Sequence, residues 1–142
     1  MYKKILVPVD GSESSLKTLE HAAEMASLLG SKITLLHVIA PLPSTVHGYI
    51  QANDLAINSV QIFAQEVLDK AKESISQKYN LEIETALGDG DPAYEICEKA
   101  KNDQFDLIVI GNRGLSQIAS FIMGSVSRRV SRHATCPVLI YR

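Results

Sequence analysis

The 142-residue sequence predicts one α/β domain: a five-stranded parallel sheet of order 3-2-1-4-5 with helices on both faces. Three observations carry that expectation. Short, nearly continuous apolar runs alternate with longer segments whose apolar residues recur at helical spacing, and strands alternating with helices imply parallel pairing through right-handed crossovers. Glycine, proline and acidic residues punctuate the junctions, as starts and stops require. Length, with 46% hydrophobic and 21% charged residues, suits a single domain over residues 1–142 with a core of its own.

The elements follow in order. "KKILVPVD" closes the apolar run Ile5 to Val9 at an acidic residue and "DGS", which marks a buried central strand and then a helix start. That helix places Leu16, Leu19, Ala22, Ala23, Ala26 and Leu29 on one stripe and stops at Gly30, a C-terminal cap. "SKITLLHVIA" is the second strand, and "PLPSTVHGY", Pro41 to Tyr49, is a loop. A second stripe, Ala56, Val60, Phe63, Ala64, Val67, Leu68, Ala71 and Ile75, predicts one long helix. "LEIETAL" alternates at its start, as a strand at a sheet edge does. Asp91 then caps a helix, Pro92 is its first residue, and Glu95 in the first turn complements its dipole. "FDLIVIG" is a fourth, central strand; a helix near Ser125 to His133 and the strand "PVLIY" close the chain. With strands one and four central, crossovers leave them in opposite directions. The crevice between their C-terminal ends is the switch point where open α/β sheets take ligands, and Asp10 and Gly111 flank it.

Composition removes several classes. No apolar run approaches the roughly 18 residues of a membrane span, and Ile5 to Val9 is too short for a signal peptide, so a cytoplasmic protein is expected. A net charge of −2 without any Lys/Arg block argues against nucleic acid. Arg128, Arg129 and Arg132 fit the exposed face and C-terminal end of a helix. Cys97 and Cys136 lack redox or metal spacing and read as ordinary part-buried thiols. His37, inside a strand, reads as a packed histidine rather than a base.

The stretch "GNRGLSQIASFIMGS" has the pattern G-x2-G-x9-G-S over Gly111, Gly114, Gly124 and Ser125. Glycines after a strand permit positive φ and close approach, so that backbone N–H groups converge on an anion. Gly124 and Ser125 open a helix, where free N–H groups and the dipole favour phosphate. A tight turn with an N-cap serine uses the same residues without any ligand; position at the switch point favours binding. Arg113 offers a phosphate cation or a merely solvated side chain. Other sites are disfavoured. "GDGDPA", Gly88 to Ala93, mimics a dinucleotide fingerprint, but Pro92 lacks the amide that a pyrophosphate needs, and the next strand ends in Gly111 rather than an acid. G-x4-GK[ST], G-x-S-x-G, HExxH, SGGxDS and HxGH are all missing. No second acid or lysine marks the crevice, so no catalytic residue is assigned and any phosphoryl transfer is expected to be slow or incidental.

The sequence resembles the universal stress protein family, in its ATP-binding branch, through "VPVDGS" at 7–12, "HVI" at 37–39, "GDP" at 90–92, "GNRGLSQIASFIMGSVS" at 111–127 and "HATCPVL" at 133–139. Asn112 stands where the family often has a small hydroxyl residue, a departure expected to touch nothing essential. The resemblance implies a Rossmann-like domain of the adenine nucleotide alpha hydrolase type. It implies that Val9 and Val38, beside Pro8, present backbone and apolar surface to adenine, and that Asp10 lies at the ribose or, through Mg²⁺ or Mn²⁺, at the phosphates. Gly111, Gly114, Gly124, Ser125 and Ser127, with Arg113 and Val126 in the same stretch, surround ribose and phosphates. The chemistry agrees, since a carboxylate suits ribose hydroxyls or Mg²⁺; an aspartate at position 10 also suits a helix cap. Two phosphate-binding turns fit AMP and cyclic AMP as well as ATP.

The apolar edge strand 137–141 invites pairing with a second copy, and the resemblance likewise implies a homodimer. A nucleotide-dependent regulatory or signalling module is the function implied, with ATP expected to order the Gly111–Ser125 and Pro41–Tyr49 segments. A weak ATPase or phosphotransferase, sensitive to Asp10→Asn, and a nucleotide-free interaction protein are the competing classes.

Overall fold

A computed structural model describes residues 1–41, 54–114 and 123–142, the side chains of 54–56 excepted. The Pro41–Tyr49 loop past Pro41 and the stretch 115–122 lie outside the described residues, as does any ordering of either by a ligand. The described elements are β1 (Lys4–Pro8), α1 (Glu13–Leu29), β2 (Lys32–Ile39), α2 (Asp54–Ser76), β3 (Ile83–Asp89), α3 (Pro92–Asn102), β4 (Leu107–Gly111), α4 (Ser125–His133) and β5 (Val138–Tyr141). The sheet order is β3-β2-β1-β4-β5 and every neighbouring pair is parallel. This is the expected topology, with β1 and β4 central and β3 at an edge.

Strand alternation sorts the core into two layers. Ile5, Val7, Leu35 and Val109 face α1 and α2, packing with Leu19, Ala22, Ala23, Leu68 and Ala71. Leu6, Leu36, Ile108 and Ile110 face the other side, with Ala93 and Ile96 of α3 and Val130 of α4.

Local chemistry sets the element ends. Ser12 caps α1, its hydroxyl oxygen accepting from the Ser15 N–H at 3.1 Å. Gly30 ends that helix in the left-handed region at φ 66°. Asp91 caps α3 with Pro92 at its first position, as the sequence implied. The apolar stripes run longer than the sheet beneath them. α1 spans about 25 Å at 1.5 Å per residue, whereas the five residues of β1 span about 17 Å. Leu16 and Leu29, at the two ends of the α1 stripe, therefore overhang the core and are 36% and 38% exposed.

Candidate functional site

β1 and β4 pair in register, Ile5 with Leu107 and Leu6 with Ile108, and the chain leaves their C-terminal ends in opposite directions. Past β1 come Val9 and Asp10. Asp10 is not the α1 cap, which is Ser12; its Oδ1 instead accepts the Ser12 N–H at 2.9 Å, a side-chain turn that holds the carboxylate at the mouth of the crevice. The other oxygen, Oδ2, lies toward the glycine stretch, 2.8 Å from where a Cβ on Gly114 would stand.

The motif glycines answer to crowding by the protein itself. Gly111, Gly114 and Gly124 all lie outside the left-handed region, which among the described glycines is occupied by Gly11, Gly30 and Gly90. The expectation of positive φ in the motif is therefore corrected. A Cβ on Gly111 would lie 3.0 Å from Thr18 Oγ1 of α1, and one on Gly124 would lie 2.7 Å from the Asn112 carbonyl oxygen. Close approach is what these positions require.

The backbone of Asn112 organises this crossing. Its N–H donates to the Tyr141 carbonyl at 2.8 Å, and its own carbonyl accepts the Gly124 N–H at 2.8 Å and the Ser127 hydroxyl at 3.1 Å. The side chain is 8% exposed, and its Oδ1 is buried without a hydrogen-bond partner. Ser127, also buried, shares its hydroxyl proton between the Asn112 and Gly124 carbonyls, so it ties the two glycine turns together.

α4 begins differently from α1 and α3. Its N-cap is Gly124, extended at φ −60° and ψ 155°, which has no side chain to accept from the first turn. Those amides carry the positive end of the helix dipole without an N-cap side chain to occupy them. A bidentate ion pair from Arg129 to Asp91, 2.7 and 2.8 Å, joins α4 to the start of α3. It holds the Asp91 carboxyl below the usual carboxylate range, with help from the Tyr94 N–H.

On the opposite wall, His37 is buried and its Nδ1–H donates to the Val9 carbonyl at 2.8 Å, which fixes the tautomer while the ring is neutral. It is a packed histidine, as its place in a strand suggested. The Leu36 carbonyl accepts the Val9 N–H and the Ile39 carbonyl accepts the Gly90 N–H. Successive residues of a strand direct their backbone groups to alternate sides, so those of Val38 face the side of β1, beyond the point where β1 has ended.

These walls enclose a cavity of about 620 Å³, within the roughly 300–1,000 Å³ of small-molecule sites. All eleven residues singled out from the sequence line it: Pro8, Val9, Asp10, Val38, Gly111, Arg113, Gly114, Gly124, Ser125, Val126 and Ser127. Sequence reasoning missed Asn112 and the contribution of α2, whose Ser59, Val60 and Phe63 also line the space. Val60 and Phe63 stand on the predicted stripe, but above the end of the sheet. The titratable side chains among the described lining residues are Asp10, His37 and Arg113. The described residues contain no group of three or more His, Cys, Asp or Glu suited to a metal ion. Cys97 and Cys136 are part-buried in the second core layer, where burial raises both thiols above their usual range, in keeping with ordinary structural cysteines. Among the described residues no helix is long and apolar enough to cross a membrane.

The family model of the Universal stress protein family matches residues 1–142. Universal stress protein YxiE of Bacillus subtilis (strain 168) is 36% identical over 149 aligned residues that cover 100% of both chains. Among solved structures, a universal stress protein in complex with cAMP is similar with a TM-score of 0.74 and 28% identity, over 99% of this chain and 97% of its own. The universal stress protein from Archaeoglobus fulgidus in complex with dAMP gives 0.73 and 29%, over 99% and 98%. On the full-length match, joined to a shared fold whose switch point carries the glycine stretch, the chain belongs to the universal stress protein family.

Proposed function

We propose that this protein binds ATP in the cavity between β1 and β4 and acts as a homodimeric, nucleotide-dependent regulatory module in a stress response. One observation carries the reading: the expected contact residues line a single cavity whose two sides differ in character. Val9, Val38 and Val60 bring apolar surface from the side of β1, β2 and α2, while the α4 terminus, Ser125 and Arg113 come in from the β4 side. A nucleotide has the matching polarity, an aromatic base at one end and phosphates at the other. The relatives solved with cAMP and dAMP hold ligands of the same adenine class.

Asp10 fits a Mg²⁺ or Mn²⁺ ion that arrives with the phosphates. Mg²⁺ is commonly held by one or two carboxylates together with phosphate oxygens and waters, and Asp10 is the carboxylate among the described lining residues. The bound ion would offset phosphate charge; Asp10 orients it and the ribose. Phosphoryl transfer needs a positioned base and a cation clamp around the acceptor. Beside Asp10 the described lining residues supply His37, whose Nδ1–H is committed to Val9, and Arg113. Turnover is accordingly slow, and binding itself is the signal.

The test begins with protein purified, denatured and stripped of nucleotide, the supernatant being resolved by ion exchange. Calorimetric titration of ATP, AMP and cyclic AMP into wild type and Gly114→Asp then follows. Micromolar ATP binding to wild type, lost in the variant, is the expected result, since the new carboxylate abuts Asp10 and makes the phosphate end more negative. Absence of binding to wild type would leave the glycines a purely architectural role and favour an interaction protein without nucleotide.

A further inference from the structure

α2 supplies a wall of the cavity that the glycine motif says nothing about. The helix descends from above the C-terminal ends of the strands, and Val67 fixes its height, because a Cβ on Gly11, just past β1, would meet Val67 Cγ2 at 3.1 Å. Phe63 lies one turn earlier, about 6 Å higher at 1.5 Å per residue. Ala64, Val67 and Leu68 are buried, whereas Phe63 is 52% exposed and lines the cavity. Its neighbour Ile62 is also exposed but does not line it.

We propose that Phe63 is the stacking platform for the base of the bound nucleotide, an inference that rests on the nucleotide-binding reading above. The ring is braced for that role. It meets the His37 ring at 6.3 Å between centroids and 76° between planes, and His37 is itself anchored to the Val9 carbonyl. A platform fixed before binding loses little freedom when the ligand arrives. The apolar walls contributed by β1 and β2, Val9 and Val38 among them, are aliphatic. An aromatic face adds an attraction for a planar base that aliphatic groups lack, and that attraction tolerates changes of base because every base has a π-face. Phe63 therefore distinguishes ligands that carry a base from bare polyphosphate, and favours the larger face of a purine.

Calorimetric titration of ATP and of inorganic tripolyphosphate into wild type, Phe63→Ala and Phe63→Trp tests this. Alanine is a strong helix former and the position is half-exposed, so Phe63→Ala is expected to keep its fold, checked by circular dichroism. It should bind ATP roughly tenfold or more weakly, the order of one base–aromatic stack, with tripolyphosphate affinity unchanged. The chain has no tryptophan, so Phe63→Trp carries a sole indole whose fluorescence ATP should quench saturably, at the calorimetric midpoint, while tripolyphosphate does not. ATP binding to wild type with Phe63→Ala unaffected and the indole unquenched overturns the platform and leaves the nucleotide site standing. A variant that changes self-association but not ATP affinity makes Phe63 part of a protein contact and overturns it equally. If wild type binds no ATP, the underlying reading fails first and the platform with it.

Discussion

Two glycines separate the demands of packing from those of backbone conformation. At Gly124 an added Cβ would stand 2.7 Å from the Asn112 carbonyl oxygen, backbone that cannot swing aside; at Gly30 it would meet nothing within 4 Å, but φ is 66°. Gly124→Ala should cost about 1–3 kcal/mol by overpacking and should also weaken ATP, because the α4 terminus moves. Gly30→Ala should cost about 1–2 kcal/mol through the left-handed backbone and leave ATP affinity at the wild-type value. Urea unfolding read beside calorimetry separates the two. Spacing alone marked Gly111, Gly114 and Gly124 as special, yet could not report whose atoms fill the gap. Those atoms belong to Thr18, Asp10 and Asn112, partners brought in by tertiary structure.

Among the elements, α3 and α4 are joined by the Asp91–Arg129 pair, and Asp91 is also the α3 cap. Because Arg129 first, and the Tyr94 N–H second, hold the Asp91 carboxyl below its ordinary value, the pair's stabilisation is present above the unfolded pKa of roughly 3.9. It is lost as pH falls through the lower, folded value. Asp91→Asn should lower the urea midpoint modestly at pH 7, and the difference from wild type should shrink as pH is taken below about 4. The pair is exposed, so added salt should narrow the difference too. The α3 start was legible because a cap is local chemistry: Asp91, Pro92 and Glu95 lie within one turn. Phe63 was not, because a helical stripe keeps the same period over the sheet and past its end. Asn112 was hidden for a third reason, since its importance lies in backbone bonds to Tyr141 and Gly124 that no side-chain pattern announces.

For the whole molecule, β5 forms the sheet edge beside β4. The Pro137 and Tyr141 carbonyls accept from Ile108 and Asn112, so by alternation the backbone groups of Val138 and Ile140 point outward, available to a second copy. Ile140→Pro removes an outward donor while sparing the bonds to β4; it should yield a monomer in sedimentation at micromolar protein, with Ile140→Val remaining dimeric. A concentration-independent monomer mass for wild type would refute the dimer. Leu139 packs against the first core layer and Ile140 against the second, so circular dichroism must show that either variant, Leu139→Lys or Ile140→Pro, is still folded before a monomer mass counts. The pairing of β1 with β4 has a consequence in time as well as in space. The Lys4 N–H reaches the Asp106 carboxylate across 102 residues of chain, and long-range contacts of this kind form slowly because a large loop must close first. A nascent chain that has emerged only through α3 holds one bank of the crevice and lacks the other. On the proposed reading, nucleotide capture therefore waits until Leu107 and the residues after it have joined the sheet beside β1.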